Sequence, residues 1–356
     1  MSFILCKINI IWYNKINKKQ LLTKGDKMKR LIRIGDFKVG PNNNISDVKG
    51  VLVGHSTISN EKSHTGVTVI LPHSGNLFKE KVVAGSFVYN GFGKSVGLIQ
   101  IEELGTIETP IVLTNTLSVG NMSDSLITYM LKDNPEIGKT TSTINSLVLE
   151  CNDGSINDIQ NRVLKDENLF DAITSANTDF LEGSIGAGSG MKCHGFKGGI
   201  GSSSRIVKIQ DKEYTIGILV NSNFGSSNGG DLIIKGRHMG ELIKNYDLEQ
   251  TEDKGSIIVV IATDAPLDSR QLTRLCKRAE LGIARTGSYA GNGSGDIMVG
   301  FSTTNKVLHY PNGCVDTIER FSDNYINKLF KATVDATEEA VLNSMFHSIG
   351  MKSYNG

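Results

Sequence analysis

Short apolar segments punctuated by Gly, Asn and Ser fill the first half of the chain. Val51–His55, Gly66–Leu71, Lys81–Tyr89, Ile111–Asn115 and Ser146–Glu150 read as strands of about five to nine residues. Ser123–Lys132 and Ile156–Lys165 instead repeat their apolar residues at helical spacing. Tyr214–Asn221 and Leu232–Ile234 are again strand-like. The polar, charged stretch Asn245–Lys254 then runs through Gly255 into Ser256–Ala262, the most continuous apolar run in the chain. Such a run predicts a central strand buried on both faces. Asp268–Leu281 reads as a basic-faced helix, Asp296–Thr303 as a strand and Asp316–Ile349 as a closing helical region. There is no repeat of fixed period and no regular β-α-β alternation, which predicts a layered α+β domain over a doubly wound sheet.

Charge divides the chain unevenly. The 356 residues hold 38 Lys and Arg against 37 Asp and Glu, a formal charge of +1. That balance excludes a basic nucleic-acid binder at the level of the whole chain. Residues 1–30 carry eight basic residues and one acid, leaving 30 basic against 36 acidic residues, or −6, in the remainder. The leader, residues 1–27, has apolar positions broken by Lys7 and Asn9 and lacks the features of a signal or transit peptide. It reads as an extension ahead of a start at Met28, so residues 28–356 are expected to form a single catalytic domain. No run of about 20 apolar residues suggests a membrane span. The five cysteines, Cys6, Cys151, Cys193, Cys276 and Cys314, are widely spaced without a C-x-x-C. Neither a disulfide framework nor a cysteine zinc site is expected, and a reducing cytoplasm is the default. The 39 glycines, above the ~7% average and without a G-X-Y period, point to many tight turns.

Several motifs fail on their spacing. Gly91-Phe-Gly-Lys-Ser95 lacks the earlier glycine of a phosphate loop, because that position is Val88. Gly186-Ala-Gly-Ser-Gly190 lacks dinucleotide spacing, and Gly188 and Gly190, like the second cluster Gly198–Arg205, are better read as turns or as a pocket wall of bare main chain. His55, His64 and His73 recur every nine residues, which suits no metal motif, so neither a metal nor another cofactor is expected.

Gly255-Ser256 stands out from the nine Gly-Ser pairs by its context, a polar linker entering the most buried strand. A serine pinned there by a sheet could attack the carbonyl of its own upstream glycine. The new N-terminus would carry nucleophile and base together, since a free α-amine titrates near ~8. An ordinary strand-opening serine is the plainer alternative. Ser294 and Asp296, in Gly291-Asn-Gly-Ser-Gly-Asp296, also precede a strand, where they are either a hydroxyl–carboxylate pair or turn residues. Asn223, in Asn221-Ser-Asn-Phe-Gly225, offers an amide to an oxyanion or merely ends a strand.

Taken in order, seven stretches carry a resemblance. They are Ile45–His55, Asn90–Lys94, Glu103–Thr116, Gly188–Met191, Lys197–Gly201, Gly255–Pro266 and Leu281–Gly287. Through them the chain resembles the self-processing L-aminopeptidase/D-esterase and β-aminopeptidase family. The resemblance implies a four-layer αββα sandwich, similar to N-terminal-nucleophile hydrolases but connected differently. It implies cleavage between Gly255 and Ser256 into chains 28–255 and 256–356. By motif, Ser256 is the nucleophile, Ser294 the helper hydroxyl, Asp296 the acidic partner and Asn223 the oxyanion amide. Some members have Glu at the position of Asp296, and Asn152 stands where some have an assisting tyrosine. The implied substrate is a small peptide, aminoacyl amide or ester, and the implied assembly a homo-oligomer, a tetramer. An acyltransferase of similar layered fold, using acyl-Ser256, and a non-catalytic small-molecule-binding scaffold are the alternatives.

Overall fold

A computed structural model describes residues 32–226, 229–240, 253 and 255–355. The leader 1–27 and, apart from Asp253, the linker Asn245–Lys254 lie outside the described residues. The first half runs β1 (Leu52–Ser59), β2 (His64–Leu71), β3 (Glu80–Gly91), α1 (Leu98–Leu104), β4 (Thr106–Ile107), β5 (Ile111–Asn115), α2 (Val119–Asp133), β6 (Leu147–Cys151) and α3 (Asp166–Thr174). Next come β7 (Lys192–Cys193), β8 (Phe196–Lys197), β9 (Gly199–Ile209) and β10 (Lys212–Asn223). The chain closes with β11 (Ile233–Ile234), β12 (Arg237–His238), β13 (Ser256–Thr263), α4 (Ser269–Ala284), β14 (Gly295–Leu308) and α5 (Asn327–Phe346).

Strand alternation sorts these elements into four layers. One sheet has the order β1-β2-β5-β6 and the other β4-β3-β14-β13-β10-β9. Every residue of β13 is buried. Its Ile258, Val260 and Ala262 join Val53, Ile70, Leu113 and Leu149 of the opposite sheet in a core between the two sheets. Its Ile257, Val259 and Ile261 face the other way, onto Leu272, Leu275 and Ala279 of α4 and Ala332 and Ala336 of α5. On the outer face of the four-stranded sheet, Val67, Val69, Val112 and Val148 meet Met122 and Leu126 of α2 and Leu169 of α3. Three apolar cores separate four layers, α on β on β on α, as the sequence resemblance implied. The run Ser256–Ala262 is apolar throughout because both of its faces are interior.

Three expectations need correction. Residues 156–165 are not a helix; they form a loop with one 3-10 turn at Ile159–Asn161, and α3 starts at Asp166. Ile156 and Leu164 are both buried from that loop, so their spacing imitates a helical stripe. The Gly198–Arg205 cluster is not a set of turns, because most of it lies in the edge strand β9. A Cβ at Gly201 would run into Ala340 O and Ser344 N, so the missing side chain lets the backbone of α5 lie on the strand. Residues 316–326 are irregular apart from a short 3-10 turn at Asp323–Tyr325, and α5 begins only at Asn327.

α5 is buried almost all round, acids included. Its Glu339 pairs with Arg205 of β9 at 2.7 Å, with both side chains fully buried. Arg205 also donates to Ile34 O and Ser204 O, while Glu339 accepts from Ile34 N and Asn43 Nδ2. The pair therefore ties the segment ahead of β1 to the long helix. Arg205→Met would strand the Glu339 charge and is expected to lower unfolding free energy by about 3–5 kcal/mol in denaturant titrations. An unchanged midpoint would contradict this role.

Candidate active site

Four strand ends meet at one edge of the larger sheet. Register places Asn223, the last residue of β10, opposite Ser256, the first of β13. Ser256 in turn lies beside Gly295, the first residue of β14, which pairs with Gly91 at the end of β3. A Cβ at Gly255 would run into Phe224 Cα and Asn223 O, so only glycine lets the chain approach this closely. The Gly295 N–H lies 3.3 Å from Gly255 O and 3.3 Å from Ser256 Oγ. A single donor thus touches both the carbonyl and the hydroxyl of the Gly255–Ser256 step. Ser256 is only 6% exposed.

The Asn223 amide is held at both ends. Its Oδ1 accepts from Lys192 N–H at 2.9 Å, and its Nδ2 donates to Asn152 O at 2.8 Å. Those bonds define which end is nitrogen and leave one amide hydrogen for another acceptor. Asn152 takes part through its backbone carbonyl; its side chain is turned to its own loop, accepting from Gly154 N. Ser294 Oγ donates to Asp296 Oδ1 at 2.6 Å. Burial pushes the Asp296 carboxyl up to about 6, the Asp253 charge adds to the rise, and the Ser294 bond opposes it. Gly188 and Gly190 are buried close-packing positions. Gly188 O accepts from Lys197 Nζ at 3.0 Å, and a Cβ at Gly190 would press on Asp153.

Other groups at the site were not singled out from the sequence. Burial pushes Lys197 down to about 7 against the opposing pull of Asp153, and pushes Asp153 up to about 6. Glu150 is buried at the end of β6, where it accepts from Lys94 N at 2.8 Å and from Thr116 Oγ1. A Cβ at Gly93 would stand 3.2 Å from Ile297 Cδ1, 3.6 Å from Glu150 Oε1 and 4.0 Å from Gly295 Cα, so Gly93 lies against both that carboxylate and the start of β14. Residues 90–94 are a brace, with Asn90 Nδ2 donating to Gly291 O and Phe92 N to Ser294 O. Glu280 on α4 is raised to about 7, first by burial and then by Asp296 and Asp253. A signal for Glu280 does exist in the sequence, since it falls among Leu272, Cys276 and Ile283 on the apolar stripe of α4. Among the described residues no His, Cys, Asp and Glu group is arranged to hold a metal ion.

The raised Asp296 value makes a signed prediction. An acid whose folded value lies above its ordinary 3.8 stabilises the fold fully below that pH, and the stabilisation is lost as pH rises through about 6. Between pH 4 and pH 7 the Ser256→Ala chain is expected to lose thermal stability, and adding Asp296→Asn should remove the Asp296 share of that loss, leaving the shares of Asp153 and Glu280. Parallel melting curves for the two chains would contradict the assignment.

Known proteins resemble the chain over most of its length. The profile of peptidase family S58 matches residues 43–356. The β-peptidyl aminopeptidase BapA of Sphingosinicella microcystinivorans is 37% identical over 343 residues, covering 90% of this chain and 85% of the relative. The crystal structure of the PH0078 protein from Pyrococcus horikoshii OT3 superposes with a TM-score of 0.85 at 54% identity, covering 89% of this chain and 90% of that one. The L-aminopeptidase D-Ala-esterase/amidase of Ochrobactrum anthropi, described as a variant of the N-terminal-nucleophile hydrolase fold, gives 0.82 at 33% identity over 90% and 91%. With a family profile spanning most of its length and relatives matched nearly end to end, this chain belongs to peptidase family S58.

Proposed function

We propose that this serine aminopeptidase cuts its own chain between Gly255 and Ser256, then uses Ser256 to release N-terminal residues from small peptides, amides or esters. The observation that carries the reading is the Gly295 N–H, 3.3 Å from both Gly255 O and Ser256 Oγ. Attack of Oγ on the Gly255 carbonyl carbon puts negative charge on the carbonyl oxygen, where that donor already lies. The C–N bond breaks, the hydroxyl proton passes to the departing Ser256 nitrogen, and water hydrolyses the ester. The products are chains 28–255 and 256–356, the first carrying a Gly255 carboxylate and the second a free Ser256 α-amine.

In the mature site the α-amine takes the Ser256 hydroxyl proton as the substrate carbonyl is attacked. The free Asn223 amide hydrogen meets the tetrahedral oxyanion, and the Lys192 and Asn152 bonds hold it aimed. Ser294, bonded to Asp296 and one residue before the register partner of Ser256, is the helper hydroxyl in this reading. In this reading Glu150, beside Gly93, is the carboxylate that holds the substrate ammonium. The Sphingosinicella relative named as a β-peptidyl aminopeptidase and the Ochrobactrum relative named as an L-aminopeptidase and D-Ala-esterase support a substrate with a free amine. Exposed Val88, Tyr89, Phe92, Ile99 and Leu104 support assembly of the chain into a homo-oligomer. The unpaired Cys151, Cys193, Cys276 and Cys314 support a cytoplasmic setting.

Hydrolysis of a chromogenic aminoacyl anilide tests the assignment. Asn223→Ala is expected to lower kcat by about 10²–10³-fold while leaving the fold intact, and Ser256→Ala to abolish turnover. Turnover by Ser256→Ala would place the nucleophile elsewhere.

A further inference from the structure

Three buried acids crowd the start of β13 and β14 in the uncut chain. Asp296 stands next to Gly295, the register partner of Ser256. Asp253 lies three residues before Ser256, its carboxylate held by Gly225 N and Ser288 Oγ, and a Cβ at Gly291 would press on its main chain. Glu280 shares the sheet-facing stripe of α4 with Cys276 and Ile283, while Asp296 alternates with Met298 onto the same interface. Asp296 is 2% exposed and Glu280 7%. Asp296 Oδ2 and Glu280 Oε2 are buried with no hydrogen-bond partner among the described residues.

Unpartnered carboxylate oxygens in a dry interface are expensive, and a fold normally satisfies them. Neighbouring cations are committed elsewhere. Arg285 and Lys331 pair with Asp335 of α5, Arg285 also reaches Glu338, and Lys277 sits over the Phe87 ring of β3. Among the described residues no cation pairs with these acids, and cleavage makes one. Hydrolysis of the Gly255–Ser256 amide consumes one water and yields a carboxylate on Gly255 and an ammonium on Ser256, one residue position across from Asp296.

We propose that Glu280 is a positioning residue, which together with Asp296 supplies the counter-charge for the Ser256 α-ammonium, so that the acid cluster is built for the cut chain rather than for the precursor. This inference rests on the self-processing reading. In the precursor Glu280 holds its proton up to about pH 7, because burial and the neighbouring Asp296 and Asp253 all disfavour a further negative charge. Once the ammonium forms, both carboxyls ionise against it and hold the amine in place beside its own hydroxyl. An anionic Glu280 favours the charged amine, so it also sets the pH at which the amine loses its proton and becomes a base.

The experiment uses full-length wild type, Glu280→Gln and Glu280→Asp, incubated until cutting is complete and weighed as fragments. Then kcat/KM for a chromogenic aminoacyl anilide is followed from pH 5 to 9. The acidic limb reports deprotonation of the ammonium in the free enzyme. In Glu280→Gln that limb is expected to move to lower pH by about one unit, and in Glu280→Asp to stay near wild type. A cut Glu280→Gln enzyme whose limb coincides with wild type overturns the proposal, whatever its melting temperature. A wild-type chain that stays whole overturns the self-processing reading and this inference with it. If Glu280→Gln does not fold, the wild-type protein still decides, through pH-dependent acylation of the N-terminus of the fragment beginning at Ser256. That amine is expected to titrate above the ordinary α-amino range of about 7.7–8.0, and a value at or below that range overturns the proposal.

Discussion

The approach of Gly255 to the end of β10 sets the geometry of everything around it. The strand that follows is buried on both faces, so the main chain of Ser256 cannot shift without disturbing two cores at once. The segment before it must turn in over Phe224 with no room for a side chain. Between these two constraints the Gly255 carbonyl and the Ser256 hydroxyl are left facing the same Gly295 N–H. A donor fixed by a strand costs nothing to reorganise when charge develops, which is the condition for electrostatic stabilisation. The αββα layering is therefore part of the chemistry, because it supplies the rigidity that a loop would lack.

Around that point the protein has removed water from an unusual density of charge. Asp296, Asp153 and Glu280 are all pushed up by burial, and Lys197 is pushed down. Elsewhere the fold handles buried charge in the ordinary way, as where Arg205 and Glu339 pair within a network of main-chain bonds. The contrast is physical: Arg205 and Glu339 set opposite charges in direct contact before any cleavage, whereas among the described residues no cation pairs with Asp296 or Glu280. Several titratable groups shifted together by burial around a nucleophile mark a functional site on a stable scaffold.

Much of this was legible in the chain. The run Ser256–Ala262 announced a doubly buried strand because no polar residue interrupts its apolar side chains after the opening serine, and α4 was legible as a basic-faced helix from Asp268. Ser256, Asn223, Ser294 and Asp296 were each visible at strand ends. That Asn223, Ser256 and Gly295 stand side by side is a matter of register between strands far apart in sequence, which local pattern does not encode. β9 was missed because its glycines and serines are chosen to fit the backbone of α5 and to bond to neighbouring main chain, as Ser203 Oγ does to Ala336 O. The false helix at 156–165 came from two buried side chains that serve a loop. Glu280 was readable as a charge on an apolar stripe, but the approach of Asp296 from the strand across the interface was not.

Everything proposed for the site depends on one bond. Intact-mass measurement of the purified full chain, with sequencing of the smaller fragment, tests it most directly. The account predicts two polypeptides, the smaller starting at Ser256 with a free α-amine and ending at Gly356. A single species of 38.6 kDa that persists on prolonged incubation, or a cut at any other bond, would contradict it.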